Sequence, residues 1–299
     1  MKTLPGNQLG GKVGLVLVSG LIYSAAIASV DVAANYIPPF TLTALRLSAA
    51  SVIFLCLLLF LRPQYYWSST GIADIVIVGV LNVGIPFLFL AMAVKYISSS
   101  LAAVLYNTIP VFTLVFAHFL LADEKLNVVK LAGTITAVVG ASILVLGNES
   151  GLELEHNQGW IGQLLIIVAS ASGALGVVYA RIRVRYESPF ALAAGQIFAC
   201  MLIFVSLALV VEGPPAFASY AWQGWVAMVG AAVSAPIIGY WLLFYLISKY
   251  GASLAGFSGI TTPLFSVIIG ILFLGEIITP LIALGTLLLL VGVWSLNYF

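Results

Sequence analysis

Ten long apolar stretches run along the chain, divided by short clusters of polar, charged or proline residues. They cover Val13–Ala34, Phe40–Leu61, Ile72–Val94, Ser98–Leu121, Val128–Gly147, Gly159–Arg181, Pro189–Val211, Gln223–Ile247, Ala252–Leu274 and Ile278–Tyr298. A helix needs about 20 apolar residues to cross the hydrocarbon core of a bilayer, and each stretch is near that length. The runs do not alternate apolar with polar, so they predict helices rather than the strands of a barrel. The linkers leave no room for an extramembrane domain. The expected fold class is therefore an all-α membrane protein with ten transmembrane helices.

Composition supports this. Charged residues make up 7% and hydrophobic residues 63% of the 299, against a usual quarter or so charged in soluble domains. No aqueous fold could cover that much apolar surface. The net charge of +1 gives no reason to expect nucleic acid. The placement of charge says more. With a cytoplasmic N-terminus, Lys2, Lys12, Arg62, Lys125, Lys130, Arg181, Arg183, Arg185 and Lys249 fall inside, Lys95 alone falls at the outer boundary, Arg46 lies within the second span, and Glu149, Glu153, Glu155, Glu212 and Glu276 fall outside. Basic residues concentrate on the cytoplasmic side of membrane proteins, so both termini are expected there, in a multi-pass protein. Lys2 and Lys12 ahead of the first run would also suit a signal peptide, but that run has a full-length counterpart in the sixth. Cys56 and Cys200 lie inside runs and read as packing residues. Two cysteines are too few for a metal site, and no cofactor is expected.

The two halves repeat. Lys95-Tyr96, Leu101-Ala102, Pro110 and Asp123-Glu124 are matched by Lys249-Tyr250, Leu254-Ala255, Pro263 and Gly275-Glu276. Gly133 and Gly140 are matched by Gly285 and Gly292, and Pro39-Phe40 by Pro189-Phe190. The repeats are assigned to residues 1–148 and 157–299. Each holds five spans, and an odd number makes the second copy enter the membrane upside down. Inverted repeats are the architecture of secondary transporters, which move about a site near the midplane.

Four spans carry a proline near mid-depth: Pro86, Pro110, Pro236 and Pro263. Proline removes a backbone donor and frees the carbonyl four residues earlier. In lipid that carbonyl must be satisfied by protein, water or substrate, so these four are expected hinges around a cavity. Polar and aromatic groups gather at the same depth, and Asn82, Tyr106, Asn107, Tyr240, Trp241, Phe257 and Ser258 are the candidate substrate contacts. For any one aromatic, helix packing or lipid contact is an equal alternative. Asp31 and Arg46 flank the outer turn between spans one and two, where a pair would be structural or part of a gate. With no charge near the centre of a span, the cavity is expected to be neutral and to favour neutral or zwitterionic solutes over phosphates, which call for Lys or Arg clamps. Gly133 with Gly140, and Gly285 with Gly292, each lie two turns apart on one helix face and predict close packing of spans five and ten.

Gly256-Phe257-Ser258-Gly259 has the form of an intramembrane serine protease motif, with His118 at a similar depth. A nucleophilic serine needs a base within hydrogen-bond reach. An intramembrane serine hydrolase at Ser258 is thus an alternative function, and a passive channel is another.

The ten spans in two sets of five, Pro-Phe-Thr-Leu-Thr-Ala-Leu-Arg at Pro39–Arg46, the mid-helix prolines and Leu-Gly-Glu at Leu274–Glu276 followed by Gly285 and Gly292 together resemble the drug/metabolite transporter superfamily, most nearly its EamA-type exporters. The first half departs at one place, Asp123-Glu124, where the second has Gly-Glu. The resemblance covers nearly the whole chain. It implies a non-enzymatic transporter of small metabolites working by alternating access. The overall similarity to bacterial aromatic amino acid exporters, which also pass planar organic cations, implies amino acid export across a bacterial inner membrane. The partners expected are a small-molecule substrate and the lipid bilayer, with no oligomer required.

Overall fold

A computed structural model describes residues 6–61, 71–121, 128–147, 150–152, 158–184, 189–239, 241–242, 245–246, 249 and 252–298. Ten spans follow one another as helices. They are α1 (Gly6–Ala34), α2 (Pro39–Leu61), α3 (Ile72–Ala93), α4 (Ser99–Leu120), α5 (Val128–Leu146), α6 (Gly159–Arg183), α7 (Pro189–Val211), α8 (Trp222–Gly239), α9 (Ala252–Ile269, extended by a π turn at Gly270–Leu274) and α10 (Pro280–Tyr298). Among the described residues eight helices are long and apolar enough to cross a membrane, and the last two carry shorter apolar segments. The protein is a multi-pass membrane protein. A helix satisfies its backbone internally, which makes it the natural form for a long apolar run in lipid.

Three of the four mid-depth prolines sit where a helix loses its regular winding. Pro86 follows a π turn at Val80–Gly84 in α3, and Pro110 resumes α4 after a break at Asn107–Thr108. Pro236 lies within a π turn at Ser234–Gly239 in α8. Pro263 differs: it is inside the continuous part of α9, and the irregular turn comes later, at Gly270–Leu274. Around Pro263, Ser24 Oγ of α1 donates to Thr262 O at 2.7 Å, and Thr262 Oγ1 donates to Ser258 O at 2.8 Å, ties that hold α9 to α1 and brace its turn beside the Gly259 carbonyl that this proline frees.

The spans pack with an approximate two-fold exchange of halves. α1 packs on α8 and α9, and α6 packs on α3 and α4. α2 meets α7 and α8, while α7 meets α2 and α3. Swapping α1–α5 for α6–α10 reproduces the same set of contacts. α5 and α10 close the outside of the bundle against each other. Their glycines make this possible: a Cβ on Gly140 would lie 2.7 Å from the Gly285 carbonyl, and one on Gly292 would lie 2.6 Å from the Gly133 carbonyl. The main core joins α1, α3, α4 and α5 with α6, α8 and α10, and a second cluster joins α2, α3 and α7. Cys200 is buried in the second cluster and packs as expected. Cys56 is exposed on the flank of α2, so it is a lipid-side residue rather than a packing one.

Each face of the bundle is tied across the repeats. On one, Glu276 follows a left-handed Gly275 (φ +68°), the conformation that ends a helix with least strain when no Cβ is present, and its own N–H returns to Gly270 O at 3.1 Å. The buried carboxylate then accepts from Ser99 N (2.8 Å), Ser99 Oγ (2.6 Å), Ser100 N (3.1 Å) and Ser100 Oγ at the start of α4. Ser98 N donates to Ser150 O and Ile277 N to Gly151 O, stitching in the α5–α6 link. On the same face Glu212 accepts from Phe40 N, Thr41 N and Thr41 Oγ1 at the start of α2. Both acids answer the unpaired N–H groups and positive dipole end of a helix N-terminus. On the opposite face α3 is held to α6 by Asp74, which accepts from Tyr179 Oη (2.6 Å) and pairs with Arg183 Nε (3.2 Å).

Candidate functional site

A cavity of about 340 Å³ lies where the repeats meet, bounded by α1, α2, α3, α4, α8 and α9. Most of its wall is apolar, including Ile27, Leu90, Ala103 and Ile109. Such a volume suits a small organic solute. Besides Tyr23 of α1, its polar groups come from three helices. Asn107 is at the break in α4, placed there because Pro110 cannot supply the next helical donor; its Nδ2 is buried with no hydrogen-bond partner among the described residues. Its Oδ1 faces Gly259, 3.2 Å from where a Cβ would stand. Ser258, on α9 and 2% exposed, also has a buried Oγ with no partner there. The third is Arg46 on α2.

The proline arrangement shapes the same wall. Pro110 frees the Tyr106 carbonyl, which Ser170 Oγ on α6 approaches at 3.3 Å. Pro263 leaves the Gly259 carbonyl without its helical donor, and Gly259 lines the cavity. The floor of the cavity therefore offers a backbone acceptor beside an amide and a hydroxyl.

The structure divides the expected contacts. Tyr106, Asn107 and Ser258 line the cavity together, and so does Pro110. Asn82 turns away to α7, where its Nδ2 donates to Gln196 Oε1 at 3.1 Å, while Gly176 of α6 packs on its backbone. Trp241 is 66% exposed and stacks on Tyr245 with ring centroids 5.9 Å apart, outside the cavity. Two residues beyond the π turn of α8, it is exposed on the flank of the bundle. Tyr240 lies outside the described residues, as does the side chain of Phe257, and the Asp123-Glu124 pair falls outside them too.

The expected neutral cavity is corrected. Arg46, 1% exposed, lines it. Its guanidinium lies over the Phe87 ring at 4.4 Å. Arg46 starts less than two turns from the α2 N-terminus, but its long side chain reaches inward to the site. A cation in an apolar helix is by itself a functional signal, and that signal was in the sequence. Tyr23, Phe87 and Thr262 also line the cavity without having stood out in the sequence. Nothing in residue type separates them from ordinary packing residues.

The hydrolase alternative fails on geometry. Ser258 Oγ has no hydrogen-bonded base among the described residues. His118 packs edge-on to its own neighbour Phe119, with centroids 5.3 Å apart, at the far end of α4.

Known proteins agree with this architecture. The EamA-like transporter family matches the chain twice, over residues 11–146 and 160–298. The chain is 24% identical over 94% of its length to an uncharacterized transporter, YoaV, of Bacillus subtilis, and covers 94% of it. It is 25% identical to the uncharacterized inner membrane transporter YedA of Escherichia coli, over 98% of this chain and 93% of that one. It is 26% identical over 92% of its length to an S-adenosylmethionine/S-adenosylhomocysteine transporter of Chlamydia muridarum, covering 88% of that protein. A solved crystal structure shares the fold with a TM-score of 0.63 and 17% identity over 94% of each chain. With a cavity between paired repeats and a family match over both halves, the chain belongs to the EamA-like transporter family and is a membrane transporter, not an enzyme.

Proposed function

We propose that the protein is a secondary transporter that exports amino acids, aromatic or otherwise neutral, from the bacterial cytoplasm across the inner membrane by alternating access. The observation that carries this reading is the cavity between the repeats, lined in part by Asn107 and Ser258, whose amide nitrogen and hydroxyl are buried without a partner among the described residues. Buried polar groups are normally hydrogen-bonded, and a bound solute with donors and acceptors would complete these two. The apolar wall and Tyr106 suit a hydrocarbon or aromatic side chain. The freed Gly259 carbonyl suits an ammonium group. The relative named as an S-adenosylmethionine transporter is consistent with this class, because S-adenosylmethionine is itself an α-amino acid.

On this reading the charge bias of the sequence places the Glu276 face outside. The site residues are Tyr106, Asn107 and Ser258, with helix movement at Pro86, Pro110, Pro236 and Pro263. The repeats are those drawn at residues 1–148 and 157–299.

The test is counterflow of labelled phenylalanine and threonine in proteoliposomes holding the pure protein. Saturable counterflow of either is expected. A flux that never saturates would replace the carrier by a channel, and no flux of either would remove amino acids as the substrate class.

A further inference from the structure

We propose that the groove between α4, α5 and α6 is a binding site for one acyl chain of a phospholipid, taken from the bilayer leaflet on the Glu276 face.

The groove encloses about 560 Å³, more than the cavity of about 340 Å³ between the repeats. Three helices each turn one side toward it. Val111 and Val115 come from α4, Ala137 and Ala141 from α5, and Trp160 and Leu164 from α6. Each pair is four residues apart and so lies on one face of its helix. The small side chains of Ala137 and Ala141 leave the furrow. Its floor is buried at Val111, Ala137 and Ala141, while its rim is exposed at Val138, Leu146, Trp160 and Leu164. A run of exposed apolar side chains on the flank of a membrane-spanning bundle is a surface for lipid.

The depth of the groove selects a chain. Its α5 wall runs from Ala137 to Leu146, about 14 Å of helix rise. One leaflet of hydrocarbon is about 15 Å deep, half of a core of about 30 Å. The upper end, at Leu146 and Trp160, adjoins the α5–α6 link, whose Ser150 and Gly151 carbonyls are tied to Ser98 and Ile277 on the Glu276 face. Tryptophan favours the headgroup level, so Trp160 marks where the glycerol end of a lipid stands. From there the groove descends past the break in α4, where Thr108 lines it.

Its chemistry selects a chain as well. Among the described lining residues none is charged, and only Thr108, Ser142 and Trp160 carry a polar side-chain atom. Thr108 Oγ1 already donates to Leu105 O at 2.7 Å. Such a wall suits methylene groups and gives a charged solute nothing to hold. Lipid tails are as apolar as the wall itself, so the binding comes from packing in the furrow and depends on the chain rather than on the headgroup. The site lies behind the transport cavity. Thr108 lines the groove, while its neighbours Asn107 and Ile109 line the cavity, so α4 is the wall between the two.

The test is photo-crosslinking of the full-length protein in vesicles of phosphatidylethanolamine and phosphatidylglycerol, with a trace of phosphatidylcholine bearing a diazirine midway along one acyl chain. Adducts are located by peptide mass spectrometry. Leu202 and Leu209 on α7, exposed to a similar degree, report the ordinary lipid boundary. Labelling at Val138, Ser142 and Leu164 is expected to exceed labelling at those two by at least about threefold. A141F, which puts a ring into the groove floor, should bring groove labelling down to the α7 level and leave α7 unchanged. Should A141F fail to fold, S142F on the rim makes the same test. Moving the diazirine chain onto phosphatidylglycerol should give the same excess. Groove labelling no higher than on α7 would overturn the inference, as would an excess that survives these substitutions or one that follows the headgroup. Protein–protein cross-links through α5 in place of lipid adducts would also overturn it, and would give the groove to a second copy of the chain. Because labelling requires no flux, its outcome is independent of which solute is carried.

Discussion

Asn107 and Trp241 look equivalent on paper, both polar-tipped groups at mid-depth beside a proline. Their surroundings separate them. Asn107 is 8% exposed and opens on the cavity, whereas Trp241 is 66% exposed on the flank of the bundle. Asn107→Ala is expected to raise the KM for counterflow about five- to tenfold, the loss of one hydrogen bond of about 1 kcal/mol. Trp241→Ala should leave KM within about twofold of the wild type, measured in the same vesicles. A large effect at Trp241 with none at Asn107 would move the site out of this cavity. Asn82 belongs to neither class. Its amide is committed to Gln196, so Asn82→Ala should lower thermal stability by about 1 kcal/mol without changing substrate preference.

Among the elements, α4 and α9 are joined at one end by Glu276, a single side chain that accepts four hydrogen bonds from the first turn of α4. A carboxylate there is held by charge as well as by hydrogen bonds. Glu276→Gln removes the charge and replaces one acceptor with a donor facing other donors. The expected result is a loss of about 2–3 kcal/mol in unfolding stability, together with faster labelling of a cysteine placed at Ser99, which the closed contact shields. Labelling no faster than the wild-type background would show that this contact is not part of a closing face. α5 and α10 make a different prediction. Their backbones meet through Gly140 and Gly292, so Gly292→Val must separate the helices or strain them, an overpacking cost of about 1–3 kcal/mol. Because this pair lies away from the cavity, the residual folded protein should keep the wild-type KM.

The molecule as a whole holds its two repeats together through exchanged neighbours, α1 on α8 and α9 and α6 on α3 and α4. Any rocking of one half on the other must bend the spans that line the cavity. Irregular turns lie beside Pro86 and Pro110 and around Pro236, while α9 stays continuous through Pro263. Replacing both Pro110 and Pro263 by alanine should restore helical donors and stiffen both spans. The expected outcome is a turnover rate reduced about tenfold or more with substrate binding little changed. An unaltered counterflow rate in the double variant would refute the hinge role.

The ten spans, the paired halves and the family were readable in the chain itself, because crossing a bilayer depends on the length and polarity of local runs. Matched prolines and glycines survive as letters whatever their surroundings. The same local logic marked Tyr106, Asn107 and Ser258, which lie within about a turn and a half of Pro110 or Pro263. Which way a side chain points is another matter. It depends on helix rotation and on what the neighbouring span leaves open, and these are set by packing between residues far apart in sequence. That is why Asn82 and Trp241, sound candidates by type, turned to Gln196 and to the outer flank. It is also why Arg46, distant from the midplane by residue count, reached the cavity. Seven residues along α2 place its Cα about 10 Å from the helix start, and a long side chain laid over Phe87 covers the rest. Sequence fixes depth along a helix; only the packed bundle decides direction around it, and the charge of the cavity depended on direction.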